Sequence, residues 1–463
     1  MFGAFANSLK IKELRSRILF TAGIIVLCRI AANIPCPGVD PVALKQYFQD
    51  FGQSGGGFAT MFDMFSGGAL QKFAIATLGI MPYISSSIIM QLLVPVVPAL
   101  EKMSREGESG RQKINQYTRY LTLVICLVQG AMAAMAMLNP GRLGLPVPKI
   151  PLVLNEGVSG FMSGTAFERL PFIAMTVIVL TCGTMILMWF GEQITERGIG
   201  QGVSIIITVN IIARMPAAVM TLWDMVASGG FSSGANFKAV HLLLLFLVFA
   251  LVTAATIILT QGYRRVPIQM AQRGAGGKIK SSSTFMPLKV NFSGVMPIIF
   301  AGAILMVPGM LLRWIPFTRP LAPYFAYGTT TYMLFYGILI MAFSYFWVAN
   351  QFNPIKISDD LKKAGNYIPG VRPGQDTADF LDNTMTRITL AGAIFLTALA
   401  VFPMFLYNQF RIPFVVASFF GGTSLLIMVA VVLDTLKQME SHLTMRNYEG
   451  FLKKGKIQGR RAN

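Results

Sequence analysis

The chain has 463 residues, of which 54% are hydrophobic and only 13% charged, with a mean hydropathy of +0.59 and a formal net charge of +19. A soluble domain carries about 25% charged residues, so a soluble globular enzyme is excluded and a polytopic membrane protein is indicated. The positive excess is then expected on cytoplasmic loops facing anionic lipid rather than on a nucleic-acid site.

Residues 1–17 mix Phe2, Phe5, Leu9, Ile11 and Leu14 with Lys10, Lys12, Arg15 and Arg17, the pattern of an amphipathic helix on the membrane surface. An apolar run at 18–32, broken by Arg29, resembles a signal peptide at first, but the many later spans argue for its retention. The other candidate spans lie at 73–93, 120–138, 170–190, 203–223, 239–260, 292–312, 329–349, 388–407 and 412–433, giving ten in all. Alternate connections carry 28 and 9 Lys plus Arg, with Arg29 and Arg214 inside spans. By the positive-inside rule both termini are cytoplasmic. The chain divides into halves 18–230 and 231–433, followed by a basic tail 434–463. Five spans per half permit an inverted repeat, because an odd number reverses the second copy. No self-similarity strong enough to establish one is read from the sequence.

The chemistry-bearing residues are sparse. Cys28, Cys126 and Cys182 lie in apolar runs and Cys36 just beyond one, and His241 and His442 are far apart, so neither a disulfide framework nor a metal or cofactor site is expected. The phrase GAGGKIKSS at 274–282 has Ile279 after Lys278 and is no P-loop. Every Asp and Glu lies outside the apolar cores or at their edges, which argues against a proton pump. A secondary transporter of a small solute, with carbonyl-coordinated Na⁺, stays open as an alternative.

Two spans are irregular. Pro82 is followed by Ser85, Ser86 and Ser87, and Pro297 is preceded by Ser293. Either these are kinks with ordinary packing, or the two helices separate and move. Ile80 and Ile84 share a helix face, as do Val203 and Ile207, fitting routine core or an apolar constriction that blocks ions. Arg264 and Arg265 in GYRRVP and Arg372 in PGVRPG are either generic inside charges or a docking surface for an acidic partner. Arg214, inside a span, should face a partner or an aqueous cavity.

Long phrases carry a resemblance: LGIMPYISSSIIMQLL (78–93), EGESGRQKINQYTRY (106–120), WFGEQITERGIGQGVSIII (189–207), PLKVNFSGVMPIIFA (287–301), FNPIKISDDLKKAGNYIPGVRPGQDT (352–377) and FGGTSLLIMV (420–429). On these the chain resembles the SecY/Sec61-alpha family of protein-conducting channels, over essentially its whole length. The resemblance implies an all-α fold of ten transmembrane helices in two pseudosymmetric inverted halves, forming an hourglass channel. It implies a plug helix within Met61–Phe73, including Phe65, Ser66, Gly67, Gly68, Ala69 and Leu70, and a pore ring of Ile80, Ile84, Val203, Ile207, Ile299 and Ile427. Family members often carry Ile at the position of Val203, implying a slightly wider seal here. A lateral gate between spans two and seven would include Pro82, Ser85, Ser86, Ser87, Ser293 and Pro297. Arg264, Arg265 and Arg372 would dock the SecA ATPase or the ribosome. The implied partners are SecE, SecG, SecA, the ribosome, signal peptides and nascent polypeptides, with SecDF, YidC and anionic lipids besides. The implied role is a passive channel of the bacterial cytoplasmic (inner) membrane, which conducts unfolded polypeptides and releases membrane segments sideways. Outer loop 139–169 looks longer than usual and receives no role.

Overall fold

The computed structural model describes residues 11–53, 63, 65–138, 140, 153, 170–227, 239–270, 283–302, 304, 305, 320, 324, 325, 328–410, 416 and 423–454. They fall into two compact units, one of residues 1–216 with 431–463 and one of residues 217–430. The expected join at 230/231 lies outside the described residues, as do residues 1–10, most of outer loop 139–169, loop 274–282 and the tail beyond 454. Among the described residues five helices are long and apolar enough to cross a membrane: Glu108–Leu138, Leu170–Arg197, Gly202–Trp223, Thr330–Lys363 and Gln375–Leu406. The pair Met81–Leu93 and Pro98–Arg105, bent by 96°, makes a sixth if counted as one span. The chain is a polytopic α-helical membrane protein.

The first unit contains α1 (Lys12–Ala31), α2 (Pro41–Gln53), α3 (Met81–Leu93), α4 (Pro98–Arg105), α5 (Glu108–Leu138), α6 (Leu170–Arg197) and α7 (Gly202–Ile212). The expected span 73–93 is helical only from Met81. Pro82 therefore occupies the first helical turn, where its missing N–H removes no ladder bond, instead of kinking a continuous span. The expected span 203–223 is matched by the candidate span Gly202–Trp223, which is interrupted by a short turn into α7 and α8 (Met215–Ala227). Pro216 cannot donate to the carbonyl of residue 212, so the ladder breaks just before it and leaves Arg214 in the turn. Beside the spans, Cys36, Val39, Leu44, Phe73, Leu78, Val153, Phe172 and Leu180 form one apolar cluster. Val153, from the long outer loop, bridges Val39, which ties that loop to the α2 region.

The second unit contains α9 (Ala239–Gln261), α10 (Thr330–Gln351), α11 (Pro354–Lys363) and α12 (Gln375–Phe410), with a core cluster of buried Leu, Ile, Tyr, Ala, Val and Met. Two caps fix helix starts here: the Thr329 hydroxyl accepts from the Tyr332 amide at 3.3 Å, and the Asn353 side chain accepts from the Lys356 amide at 3.0 Å. The last helix, α13 (Thr423–Lys454), runs through the expected tail boundary at 434 without a break.

The connection 261–291 is not the plain charged loop that its composition implies. It contains β1 (Tyr263–Met270) paired antiparallel with β2 (Ser283–Lys289), while β3 (Asn366–Tyr367) joins the other edge of β1. The fold is therefore helical but not purely all-α. Val266 and Ile268 are buried and alternate with exposed Arg265 and Pro267, and Val266 packs with Leu288, Val348, Phe352, Ile368 and Leu381.

An internal repeat emerges once the two irregular spans are aligned. Gly79-Ile-Met-Pro-Tyr-Ile84 in the first unit matches Gly294-Val-Met-Pro-Ile-Ile299 in the second. Both glycines are left-handed, with φ of 59° and 64°, and in both copies the helix begins at the Met that precedes the Pro, at residues 81 and 296. The local chemistry of Gly, then Met-Pro, sets the same turn into a helix twice.

Candidate functional site

The segment before α3 is compact and internally bonded. The Asp63 carbonyl accepts from the Gly68 amide at 2.9 Å and from the Ser66 hydroxyl at 3.0 Å, and its carboxylate Oδ1 accepts from the Gln71 amide at 3.2 Å. The Ala69 carbonyl accepts from the Ala74 amide at 2.9 Å and from the Thr77 hydroxyl at 3.2 Å. The turn is filled by Phe65, Ser66, Ala69, Phe73 and Ala74, all buried. Its far end is pinned by pairing with the stretch after α1: the Cys36 amide donates to the Phe73 carbonyl at 2.8 Å and the Ile75 amide to the Ile34 carbonyl at 2.9 Å.

Three side chains from α1, α7 and the turn after α7 close on this segment. Arg29 donates to the Gly67 carbonyl at 3.0 Å and to the Asn210 side-chain oxygen at 3.2 Å. Asn210 in turn donates to the Phe65 carbonyl at 2.9 Å. Arg214 forms an ion pair with Asp63, whose side chain is 1% exposed. A Cβ on Gly67 would strike the Arg29 guanidinium and lie 2.8 Å from the Asn210 oxygen, and φ there is 68°, so glycine is required. Asp63 lies outside the apolar runs, as every acidic residue does, and is nevertheless buried, because a guanidinium from the interrupted span neutralises it. Arg214 has the partner that an arginine inside a span needs.

The expected plug residues Phe65, Ser66, Gly67, Gly68, Ala69 and Leu70 thus form the turn at the centre of this cluster, while Met61, Phe62 and Met64 lie outside the described residues. The segment lies directly against the repeat, since a Cβ on Gly79 would lie 3.6 Å from the Ser66 Cα. Of the expected ring, Ile80 and Ile84 are buried and one turn apart, with the Ile84 amide donating to the Ile80 carbonyl at 3.1 Å. Ile80 is the residue that caps α3 rather than part of a longer helix. Val203, half-buried, and Ile207, buried, share α7. In the second unit Ile299 is half-buried near the helix start at 296, and Ile427 is buried on α13.

Among the expected gate residues, Pro82 and Ser86 are buried, and Ser85 and Ser87 half-buried. The Ser86 hydroxyl donates to the Thr118 carbonyl at 2.7 Å and so ties α3 to α5. Ser293 and Pro297 are buried in the second unit. There Phe300 stacks on Phe343 at 5.4 Å and meets Trp347 at 5.6 Å, and the Tyr336 hydroxyl donates to the Ile298 carbonyl at 3.4 Å. Of the expected docking arginines, Arg264 and Arg265 are exposed on β1, and Arg372 is exposed in the turn between β3 and α12, outside the sheet. Arg265 also stands 5.3 Å above the Tyr263 ring.

The family model that matches this chain is SecY, over residues 74–436. The chain belongs to the SecY family. The family is one of passive translocon channels that conduct polypeptides, not of enzymes, and its bacterial members are multi-pass proteins of the inner membrane. A protein translocase subunit SecY of Chlamydia muridarum is 39% identical, covering 97% of this chain and 98% of its own. That of Escherichia coli K12 is 40% identical, covering 96% of each. Among solved structures, a protein-conducting channel has a TM-score of 0.59 at 16% identity, over 94% of this chain and 93% of its own. A structure concerned with the SecY plug domain has a TM-score of 0.60 at 16% identity, again over 94% and 93%. At that identity the two structures speak to the fold.

Proposed function

We propose that this chain is the pore-forming subunit of a protein translocase, carrying unfolded polypeptides across the inner membrane and releasing membrane segments into lipid. The observation that carries this reading is the SecY match across residues 74–436. A chain with unpaired backbone amides cannot enter hydrocarbon at tolerable cost, so a passage must be supplied. In this reading there are ten spans in two inverted halves, 18–230 and 231–433, with both termini cytoplasmic. Ile80, Ile84, Val203, Ile207, Ile299 and Ile427 form an apolar ring that closes around any passing sequence without specific hydrogen bonds. Residues 65–70 are the plug. The helices that start at residues 81 and 296 border the sideways exit, with Pro82, Ser85, Ser86, Ser87, Ser293 and Pro297 along it. Supporting this, the two helices start from the same Gly-x-Met-Pro turn.

Arg264, Arg265 and Arg372 dock the SecA motor or the ribosome, which supplies the energy. SecE, SecG, signal peptides and nascent chains are the other partners, with SecDF, YidC and anionic lipids as further contacts. The test is reconstitution of the complex in vesicles with SecA, ATP and a precursor. Protease-protected precursor is expected, and Arg372→Glu should lower its yield without lowering membrane insertion of the chain itself. No protected precursor, together with uptake of a small solute, would favour the transporter reading.

A further inference from the structure

We propose that Arg29, Asp63, Asn210 and Arg214 are positioning residues for gating: a polar latch that holds segment 65–68 in its seat and sets how readily it is displaced. The proposal rests on the plug assignment above and adds what holds the plug.

The bonds of this segment divide into two kinds. Those from Asp63 and Ser66 to Gly68, Leu70 and Gln71 are internal and travel with the segment, so they do not resist its departure, while the bond between Ala69 and Ala74 leads to the pinned stretch 73–75. The bonds that resist it cross to other elements. On the face toward α1 and α7 these are Arg29 to the Gly67 carbonyl, Asn210 to the Phe65 carbonyl, and the Asp63–Arg214 ion pair. Arg29 and Asn210 are themselves bonded, so their two contacts act together, and the Asp63–Arg214 ion pair is a second hold on the same segment. Two of the crossing bonds are accepted by backbone carbonyls, so the bond at 65 does not depend on that side chain, whereas residue 67 must be glycine to admit the Arg29 guanidinium. Asp63 is the carboxylate of the latch and pairs with the Arg214 guanidinium. Displacing the segment removes that carboxylate and leaves two arginines near each other, which favours its return. The four residues lie on three separate stretches of chain, and all belong to one compact unit.

The test is the resting ion conductance of the intact purified complex in planar bilayers, together with export of a precursor whose signal sequence is weakened. Asp63→Asn and Arg214→Gln should each raise resting conductance about tenfold and let the weakened precursor through. Asp63→Glu and Arg214→Lys should restore much of the seal. The double variant Asp63→Asn/Arg214→Gln should leak no more than Asp63→Asn alone, because it removes the stranded charge. In a chain lacking residues 65–70, Arg214→Gln should change nothing further. Single variants that assemble and conduct as the wild type, or an added effect of Arg214→Gln without the segment, would overturn the latch. If deletion of 65–70 itself leaves conductance unchanged, it is the plug assignment that fails.

Discussion

The two copies of the Gly-x-Met-Pro-x-Ile turn differ in what lies against them. In the first unit, Gly79 backs onto Ser66, and the segment that covers it is held by the polar network of Arg29, Asn210, Arg214 and Asp63. In the second unit, nothing among the described residues comes within 4 Å of a Cβ at Gly294, and the following helix rests on Phe343, Trp347 and Tyr336. One local conformation is therefore used twice, with a directional polar cover on one copy and apolar packing under the other. Polar contacts of this kind break as a set and re-form in one geometry, whereas dispersion contacts weaken gradually with distance. The first arrangement suits a part that leaves and returns. The second suits a wall.

The comparison can be broken most severely at the wall. Phe300→Ala removes a ring that stacks on Phe343 and meets Trp347 at a tilt, and should cost about 3–5 kcal/mol of stability, read by thermal unfolding of the purified complex. Acceptance of weakened signal sequences by the surviving folded complex should stay unchanged. Next come the two glycines. Gly79→Ala and Gly294→Ala each force a Cβ into the left-handed region at a cost of about 1–2 kcal/mol, and neither meets a clash, so the two costs should agree. A large difference in unfolding temperature between them would show that the turn is not locally determined. A smaller effect is expected at Ser86→Ala, which removes the hydrogen bond between α3 and α5 but leaves the Thr118 carbonyl its bond from the Thr122 hydroxyl, and should cost about 1 kcal/mol or less. The readout there is easier cross-linking of a signal sequence to α3.

The mildest probe leaves the fold intact. Cys36 is 1% exposed, its amide is bonded to Phe73, and burial raises its thiol pKa against a weaker opposing hydrogen bond from Thr176. A raised pKa lowers the thiolate fraction at any given pH, and the thiolate is the reactive form. Maleimide labelling of Cys36 should therefore be slow in the resting complex, rise with pH, and accelerate during translocation if the pairing with residues 73–75 opens.

Much of the architecture was legible from the sequence. Apolar runs near 120–138, 170–190, 239–260, 329–349 and 388–407 located five of the long helices, although α5 and α12 begin about three turns earlier, at Glu108 and Gln375, in polar sequence, because lipid imposes length and hydropathy only on the crossing segment. Arg214 could be singled out as needing a partner, but its partner could not be named: Asp63 lies outside every apolar run of spanning length, and its burial is a tertiary consequence of the break before Pro216. The strands of 263–289 were hidden because Arg264, Arg265 and Pro267 mask the alternation of Val266 and Ile268 within a charged connection. Pro82 and Pro297 were legible as irregularities, yet proline alone does not distinguish a kink from a helix start. The Gly-x-Met-Pro-x-Ile pattern, compared between the halves, was the available signal for both helix starts and for the equivalence of Ile84 and Ile299.

The central claim, that residues 65–70 must leave the Gly79 turn for polypeptide to pass, is tested most directly by a reversible lock. A Cβ at Gly79 would lie 3.9 Å from that of Ser66, inside the range of about 3.5–4.5 Å for a disulfide. In a Ser66→Cys/Gly79→Cys complex lacking the native cysteines, precursor export should stop on oxidation and resume on reduction, the reduced form controlling for strain at residue 79. Undiminished export through a complex in which the bond has demonstrably formed would contradict the account.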